Sequence, residues 1–475
     1  MDIPVEPLFP PEVWELIFAD CPFPDLKRFR LVCHRWNAIV LGCPAFRRRC
    51  RGRFCMAELR ETRDPARRPL TNGNMTFRVV VVRVNNDWSE FGQYLEELFL
   101  NACVAPVGMF FRMLRCCPNL KRLKLQATGF LEGTVDNGFQ LESMEEFDVA
   151  CLYPKSDWTR ASVIDLFGPV FPRLKIFALK WMDHFKKADQ KNLIRFIQNV
   201  QGTLQSLSLE YKANLLKELC AMNQLHLKRA ALNINIVSPS WNNALWTRFC
   251  QAQQTLEELS LMEGTASNEL LRVTVQNLPN LKKLCANFYG PDKIVPTFLS
   301  HLVRVEHVQI CAEQVVLDLR IPLSASLKEF HLTHAEIKHG LETLTTSTTI
   351  QKLTLEKCHL EERIVTSSAH KPTNLKHLTL VECGAYPDTI DHILSGRPLL
   401  ETVRLERVGS VSKESMARLL HQCPNLREMV LTKCYDFWDS VEDVMGHYYS
   451  SYGVVEGSRQ VKLVIEEFTE DDEDY

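Results

Sequence analysis

The stretch CPNLREMVLTKC, residues 423–434, has a counterpart in CPNLKRLKLQAT, residues 117–128. Both open on Cys-Pro-Asn-Leu, and both set apolar residues three and five positions after that leucine. The same unit, a leucine-like residue with apolar residues at +3 and +5, starts at Leu95, Leu120, Met144, Leu174, Leu204, Leu227, Leu256, Leu281, Val305, Leu327, Ile350, Leu375, Leu400 and Leu426. Fourteen starts spaced about 25 residues apart exclude coincidence and mark a repeat architecture.

Two periods define the unit. In LKHLTLVEC (375–383), Leu378 and Leu380 alternate with His377, Thr379 and Val381. Period two predicts a short strand with one face buried. PDTIDHILSGRP (387–398) then sets Ile390, Ile393 and Leu394 at helical spacing, with Pro387 near the start and Gly396 near the end. Leu193, Phe196, Ile197 and Val200 repeat that spacing in NLIRFIQNV. One strand and one helix cannot bury their apolar faces alone, but stacked copies can. At +8 stands a cysteine four times, Cys103, Cys358, Cys383 and Cys434, where the chain must turn out of the strand and a small, weakly hydrogen-bonding side chain suits a buried corner.

This pattern resembles the leucine-rich repeat, L-x-x-L-x-L-x-x-C/N, in its cysteine-containing variety, over about residues 77–466. The fold class so implied is α/β: parallel strands on a concave face and helices on a convex face. Ala230 and Ala286 stand where larger apolar residues are usual, and two intervals reach 30 residues, so distortion is expected there. FRVVVVRV (77–84) and VKLVI (461–465) are expected to be capping strands.

Composition sets the frame. The 475 residues are 45% apolar and 24% charged with a net charge of −2, ordinary for a globular protein. Overall charge points to neither nucleic acid nor membrane. No apolar stretch approaches the roughly 18 residues of a membrane span. The seventeen cysteines form no C-x-x-C pair, and MDIPVEPLFPPE does not resemble a signal peptide. The expectation is a reducing compartment, cytoplasmic and/or nuclear, with free cysteines.

Before the repeats lies LFPPEVWELIFADCPFPDLKRFRLVCHRW (8–36). Pro10 and Pro11 suit a helix start. Val13, Trp14, Ile17 and Phe18 fall on one helical face; Asp25 is a candidate N-cap; Leu26, Phe29, Cys33, Trp36 and Val40 form a second stripe. So few residues make no adequate core, so their apolar surface needs either the repeats or another protein.

The stretch resembles the F-box, with Pro10, Glu12, Val13, Ile17, Phe18, Asp25, Leu26, Val32, Cys33 and Trp36 matching in order. Phe9 replaces a usual leucine, as does Cys21. The resemblance implies docking on a Skp-type adaptor and, through it, a cullin. Pro10, Glu12, Val13, Ile17, Phe18, Leu26, Val32, Cys33 and Trp36 would form that contact. The alternative is a helical cap on the repeats. Residues 26–53 add nine Lys or Arg and no acid, a patch that speeds encounter with an acidic surface. RRRCRGR (47–53) also suits nuclear import or a solvated helix face. Nucleic acid is disfavoured, because no stacking aromatics interleave.

Residues 1–55 are therefore assigned to the F-box domain, 56–76 to a polar connector, 77–466 to about 14 repeats and 467–475 to an acidic tail. In the repeats, side chains at +2, +4 and +6 face an open sheet. Arg122, Lys124, Ser208, Ser260, His331, Thr354, Thr379 and Arg404 are the candidates for contact with an unknown protein substrate. Arg122 and Lys124 either meet an acidic group on that substrate or balance Glu97 and Glu146. His307, His331 and His377 come from separate strands and read as solvated, not as metal ligands. No phosphate loop, H-E-x-x-H or G-x-S-x-G is present. Neither catalysis nor a cofactor is expected. The implied function is a substrate receptor of a Skp–cullin–F-box ubiquitin ligase; a non-degradative scaffold and an inhibitor-type binding protein remain alternatives.

Overall fold

The computed structural model describes residues 10–21, 28–29, 32–33, 36, 39, 51–55, 74–78, 92–93, 95–101, 104–126, 128–131, 138–151, 163–167, 169–181, 187–209, 215–234, 242–262, 264–289, 293–361, 373–394, 397–409, 411–434, 441–452 and 461–466. Asp25, Leu26, Val40, Cys103, Gly396, the arginines 47–49 and the tail 467–475 lie outside the described residues. The chain divides into two compact units, residues 1–226 and 227–475, and the boundary falls at a repeat start, Leu227.

Alternation becomes strand in every repeat. Lys352–Glu356, His377–Val381, Thr402–Glu406 and Glu428–Thr432 pair in parallel, with Leu353, Leu378, Val403 and Met429 side by side. In unit 1 the parallel ladder runs through Glu97–Asn101, Arg122–Gln126, Glu146–Cys151, Ile176–Trp181 and Ser206–Leu209. In unit 2 it runs from Arg229–Leu232 to Lys462–Glu466. Every start, +3 and +5 residue of the fourteen repeats is buried, none more than 7% exposed. Each Val, Leu, Ile, Phe or Met among them contributes roughly 1.5–3 kcal/mol of transfer free energy. The fold is thus α/β, a parallel-strand repeat with helices.

The opening tetrapeptide of the quoted stretch works as a hinge between repeats. The Leu120 N–H donates to the Cys117 carbonyl at 3.1 Å, and Leu426 does the same to Cys423. Both cysteines are fully enclosed. The asparagine amide reaches back one repeat: Asn119 to the Gln93 carbonyl (2.6 Å), Asn280 to Gln254 (2.9 Å) and Asn425 to Pro398 (2.9 Å). Serine or threonine replaces it elsewhere, as when Thr203 donates to Leu174 and Thr255 to Leu227.

The +8 corner behaves as its chemistry requires. Cys358, Cys383 and Cys434 are buried and donate to the +5 carbonyl of the preceding repeat, Leu332, Leu355 and Leu405, at 3.3–3.5 Å. Thr128 makes the same bond to Leu100. The residue before the corner, at +7, is left-handed in five successive repeats: His334, Lys357, Glu382, Arg407 and Lys433, with φ between 49° and 57°. None is glycine or asparagine, so sequence carries no sign of it.

Helices return the chain between strands. Lys187–Val200 buries Leu193, Phe196, Ile197 and Val200, and Pro387–Leu394 buries Ile390, Ile393 and Leu394. Asn242, Ser267 and Ser412 cap three helices through their side-chain oxygens.

Three expectations need correction. The start of the sheet is a pair of antiparallel strands, Arg51–Cys55 on Asn74–Arg78, and the latter also pairs antiparallel with Glu97–Asn101. The first lies in the segment assigned to the helical domain, and the second begins inside the assigned connector. RGRFC holds a single large apolar side chain, so main-chain pairing, not a hydrophobic pattern, makes it a strand. The capping strand sought at 77–84 therefore begins earlier; residues 79–84 lie outside the described residues. Finally, the repeats around Ala230 and Ala286 keep register: Ala230 sits beside Leu259, and Ala286 between Leu261 and Ile310. At these sites a small side chain is accommodated without a shift in pairing.

Candidate protein-interaction surfaces

The N-terminal helix Pro11–Asp20 starts on Pro10, which is exposed and whose carbonyl accepts from the N–H groups of Val13 and Trp14. Its inner side is aromatic. The Phe18 ring lies 5.6 Å from Trp14, 5.4 Å from Phe29 and 5.5 Å from Trp36, and Trp14 lies 4.8 Å from Trp36. Such offset and edge contacts are worth roughly 0.5–1.5 kcal/mol per pair beyond burial.

This cluster sorts the residues assigned to the adaptor contact. Phe18 is 1% exposed, enclosed by its own chain, and Trp36 and Val13 are half-buried. Ile17 (43%), Val32 (62%) and Leu16 (72%) point outward. Cys33 is exposed, although its spacing placed it in the apolar stripe, and its sulfur accepts from the Trp36 N–H. Ile39, outside that stripe, is buried. Helix periodicity names a face but not what covers it, so it does not separate the enclosed Phe18 from the exposed Ile17 and Leu16. Glu12 lies in the first turn of the helix.

The open face of the repeats is internally paired. Arg122 meets Glu97, and Lys124 meets Asp148 at 3.1 Å rather than Glu146, while its ammonium sits 5.7 Å from the Phe99 ring centre. In unit 2, His307 lies 3.1 Å from Glu329, His331 3.5 Å from Glu356, and His377 2.9 Å from the Thr402 hydroxyl. His331 is half-buried rather than solvated, and this burial holds its imidazole below its ordinary pKa against the pull of Glu356. Arg404 pairs with Glu406. Ser208, Ser260, Thr354 and Thr379 are half-buried and carry no charge; Cys285 between them is buried.

A further row of charges runs along the repeats. At +1 the residues alternate in sign over much of the chain. Lys121 pairs with Glu96 (3.7 Å), Lys175 with Glu145 (2.7 Å), Lys282 with Glu257 (2.7 Å), Lys328 with Glu306 (3.0 Å) and Lys376 with Glu401 (3.6 Å). These are solvated pairs of small individual worth, and the row fixes register more than stability.

Two of the buried thiols, Cys117 and Cys358, are poor nucleophiles. Burial pushes Cys117 up to about 12, and the Cys383 thiol together with burial pushes Cys358 up as well. Among the described residues no group of His, Cys, Asp and Glu could hold a metal ion, and no helix is long and apolar enough to cross a membrane.

The aromatic core with Ile17 and Val32 outside it lies within a segment that known proteins share. Residues 7–48 match the F-box domain. No curated protein matches the sequence. Among solved structures, the chain is similar to one in a crystal structure of a TLR13–ssRNA13 complex, at 15% identity and TM-score 0.39, over 70% of this chain and 53% of that one. It is also similar to internalin C2 from Listeria monocytogenes str. 4b F2365, at 16% identity and TM-score 0.27, over 42% of this chain and 85% of that one. The chain thus spans about half the length of the TLR13 chain it matches. A matched F-box domain followed by parallel strand–helix repeats supports a role in protein interaction.

Proposed function

We propose that this chain is the substrate-recognition subunit of a cullin-RING ubiquitin ligase. The F-box binds a Skp-type adaptor, the adaptor brings a cullin, and the open face of the repeats holds a target protein. Catalytic help then comes from effective concentration: a lysine on the held target meets the ubiquitin thioester as a near-intramolecular partner. The reading places the protein in the cytoplasm, the nucleus or both.

The observation that carries this reading is the split within the F-box helices. Ile17 and Val32 remain exposed beside a closed aromatic core, which leaves apolar surface for a partner. Leu16 is exposed as well. Trp36 is a poor probe of docking, because it packs against Trp14, Phe18 and Phe29 and its loss disturbs the helices themselves.

The test is co-purification with the Skp-type adaptor. The pair Ile17→Glu and Val32→Glu should abolish capture while the chain stays folded. Capture that survives both changes overturns adaptor docking through this surface. A chain lacking residues 1–50 should still bind its target but no longer lower the target's abundance. A target whose abundance never responds to the intact chain would instead favour a non-degradative scaffold.

A further inference from the structure

The last strand, Lys462–Glu466, breaks the rule that every other repeat obeys. Its Leu463 and Ile465 stand in register with Met429 and Leu431, the +3 and +5 positions of the final repeat. Met429 and Leu431 are 0% and 1% exposed, whereas Leu463 and Ile465 are only half-buried. The helix Val441–Tyr452 packs near this strand. Among the described residues, however, its only strand partner is Glu428–Thr432. An edge with no further strand partner among the described residues, beside part-exposed apolar side chains, is a template for a further strand.

The register shows which main-chain groups that edge offers. The Lys462 N–H donates inward to the Arg427 carbonyl. Parallel pairing alternates direction along a strand, so residues 462, 464 and 466 face inward and Leu463 and Ile465 present N–H and C=O outward. The sequence K-L-V-I-E is self-complementary about its centre. If two copies pair antiparallel around Val464, Leu463 of each lies opposite Ile465 of the other. These are the outward-facing residues, so both exchange their hydrogen bonds. Lys462 then lies across from position 466 of the second copy, where the chain has glutamate, and a cross-strand pair of opposite charge is favourable. Lys462 already holds Glu428 at 2.6 Å, so the ammonium would bridge two carboxylates.

We propose that this edge is a homodimer interface, in which two copies join their sheets antiparallel through Lys462–Glu466 about a two-fold axis. One symmetric patch meets itself, as such an axis requires. The inference is independent of the ligase reading, since it needs neither adaptor nor target. A five-residue edge is a small interface, so the dimer is weak and concentration-dependent.

The experiment is sedimentation velocity on the full chain across a concentration series. Mass should rise from 54.7 kDa toward twice that value. Ile465→Pro removes an outward N–H without touching the inner ladder, and should leave a monomer with an unchanged melting temperature. Lys462→Glu should weaken the dimer about tenfold, Glu466→Lys should weaken it likewise, and the double charge swap should restore it. If Ile465→Pro fails to fold, the charge series decides alone. A chain that stays at 54.7 kDa up to about 100 µM overturns the proposal. So does a dimer indifferent to the charge series. A monomer that dimerises only when residues 467–475 are deleted also overturns it, because the tail, not a second copy, would then occupy the edge.

Discussion

Two regions of this chain face the same problem, apolar side chains on a short element, and solve it differently. In the repeats, Leu378 and Leu380 are covered on one side by Leu353 and Leu355 and on the other by Val403 and Leu405. Copies of the same sequence supply both covers, and burial is complete. In the F-box helices no copy exists. Trp14, Phe18, Phe29 and Trp36 close on one another, and Leu16, Ile17 and Val32 are left outside. The difference separates surface that stabilises the chain from surface available to a partner.

The sharpest way to break this comparison is to hollow the ladder. Leu380→Ala, at a fully buried +5 site, should cost about 2–5 kcal/mol, because neighbouring strands cannot collapse onto the gap. Denaturant unfolding measures it, and a loss below about 1 kcal/mol would mean that neighbouring repeats do not act as mutual cover. Next comes Gly340→Ala. Gly340 is left-handed, with φ 88°, and a β-carbon there would stand 2.3 Å from the Leu319 carbonyl carbon, which is main chain and cannot swing away. The expected cost is roughly 1–3 kcal/mol. Smaller again is Asn425→Ala, which removes one bond across the repeat boundary, to Pro398, for about 1 kcal/mol. A matching drop in melting temperature for that variant and its counterpart Asn119→Ala would show that the asparagine of Cys-Pro-Asn-Leu ties adjacent repeats together.

How much of this was readable beforehand follows from what each residue's neighbours are. Leu378 and Leu380 were legible because repetition tells a residue what lies beside it: another copy of itself. The lysine–glutamate row at +1 was equally open to reading, since Lys282 and Glu257 occupy the same slot one repeat apart. The left-handed residues were not, because Lys357, Glu382 and Arg407 take that conformation under tertiary constraint and against their own preference. The antiparallel strands at 51–55 and 74–78 were hidden for a related reason: main-chain pairing leaves no period in RGRFC. Phe18 and Ile17 show the limit most plainly. They are adjacent, both apolar and both suited to the helical face, and only the rings of Phe29 and Trp36 decide which one is sealed.

That last pair also gives the smallest predicted stability effect. Ile17→Glu and Val32→Glu replace side chains that touch solvent in the free chain, so each should change unfolding free energy by less than about 0.5 kcal/mol. Phe18→Ala, one residue away, should cost about 3–5 kcal/mol of local stability, because the three rings of Trp14, Phe29 and Trp36 lose their shared partner. Proteolytic susceptibility of the F-box helices reads both, with the wild-type chain as reference. Equal protection of Ile17→Glu and wild type, beside rapid cleavage of Phe18→Ala, would show that the outward surface contributes nothing to the chain's own fold. Rapid cleavage of Ile17→Glu would mean that this residue is covered by its own chain in solution. The surface assigned to the adaptor would then be part of the core, and docking would have to be sought elsewhere.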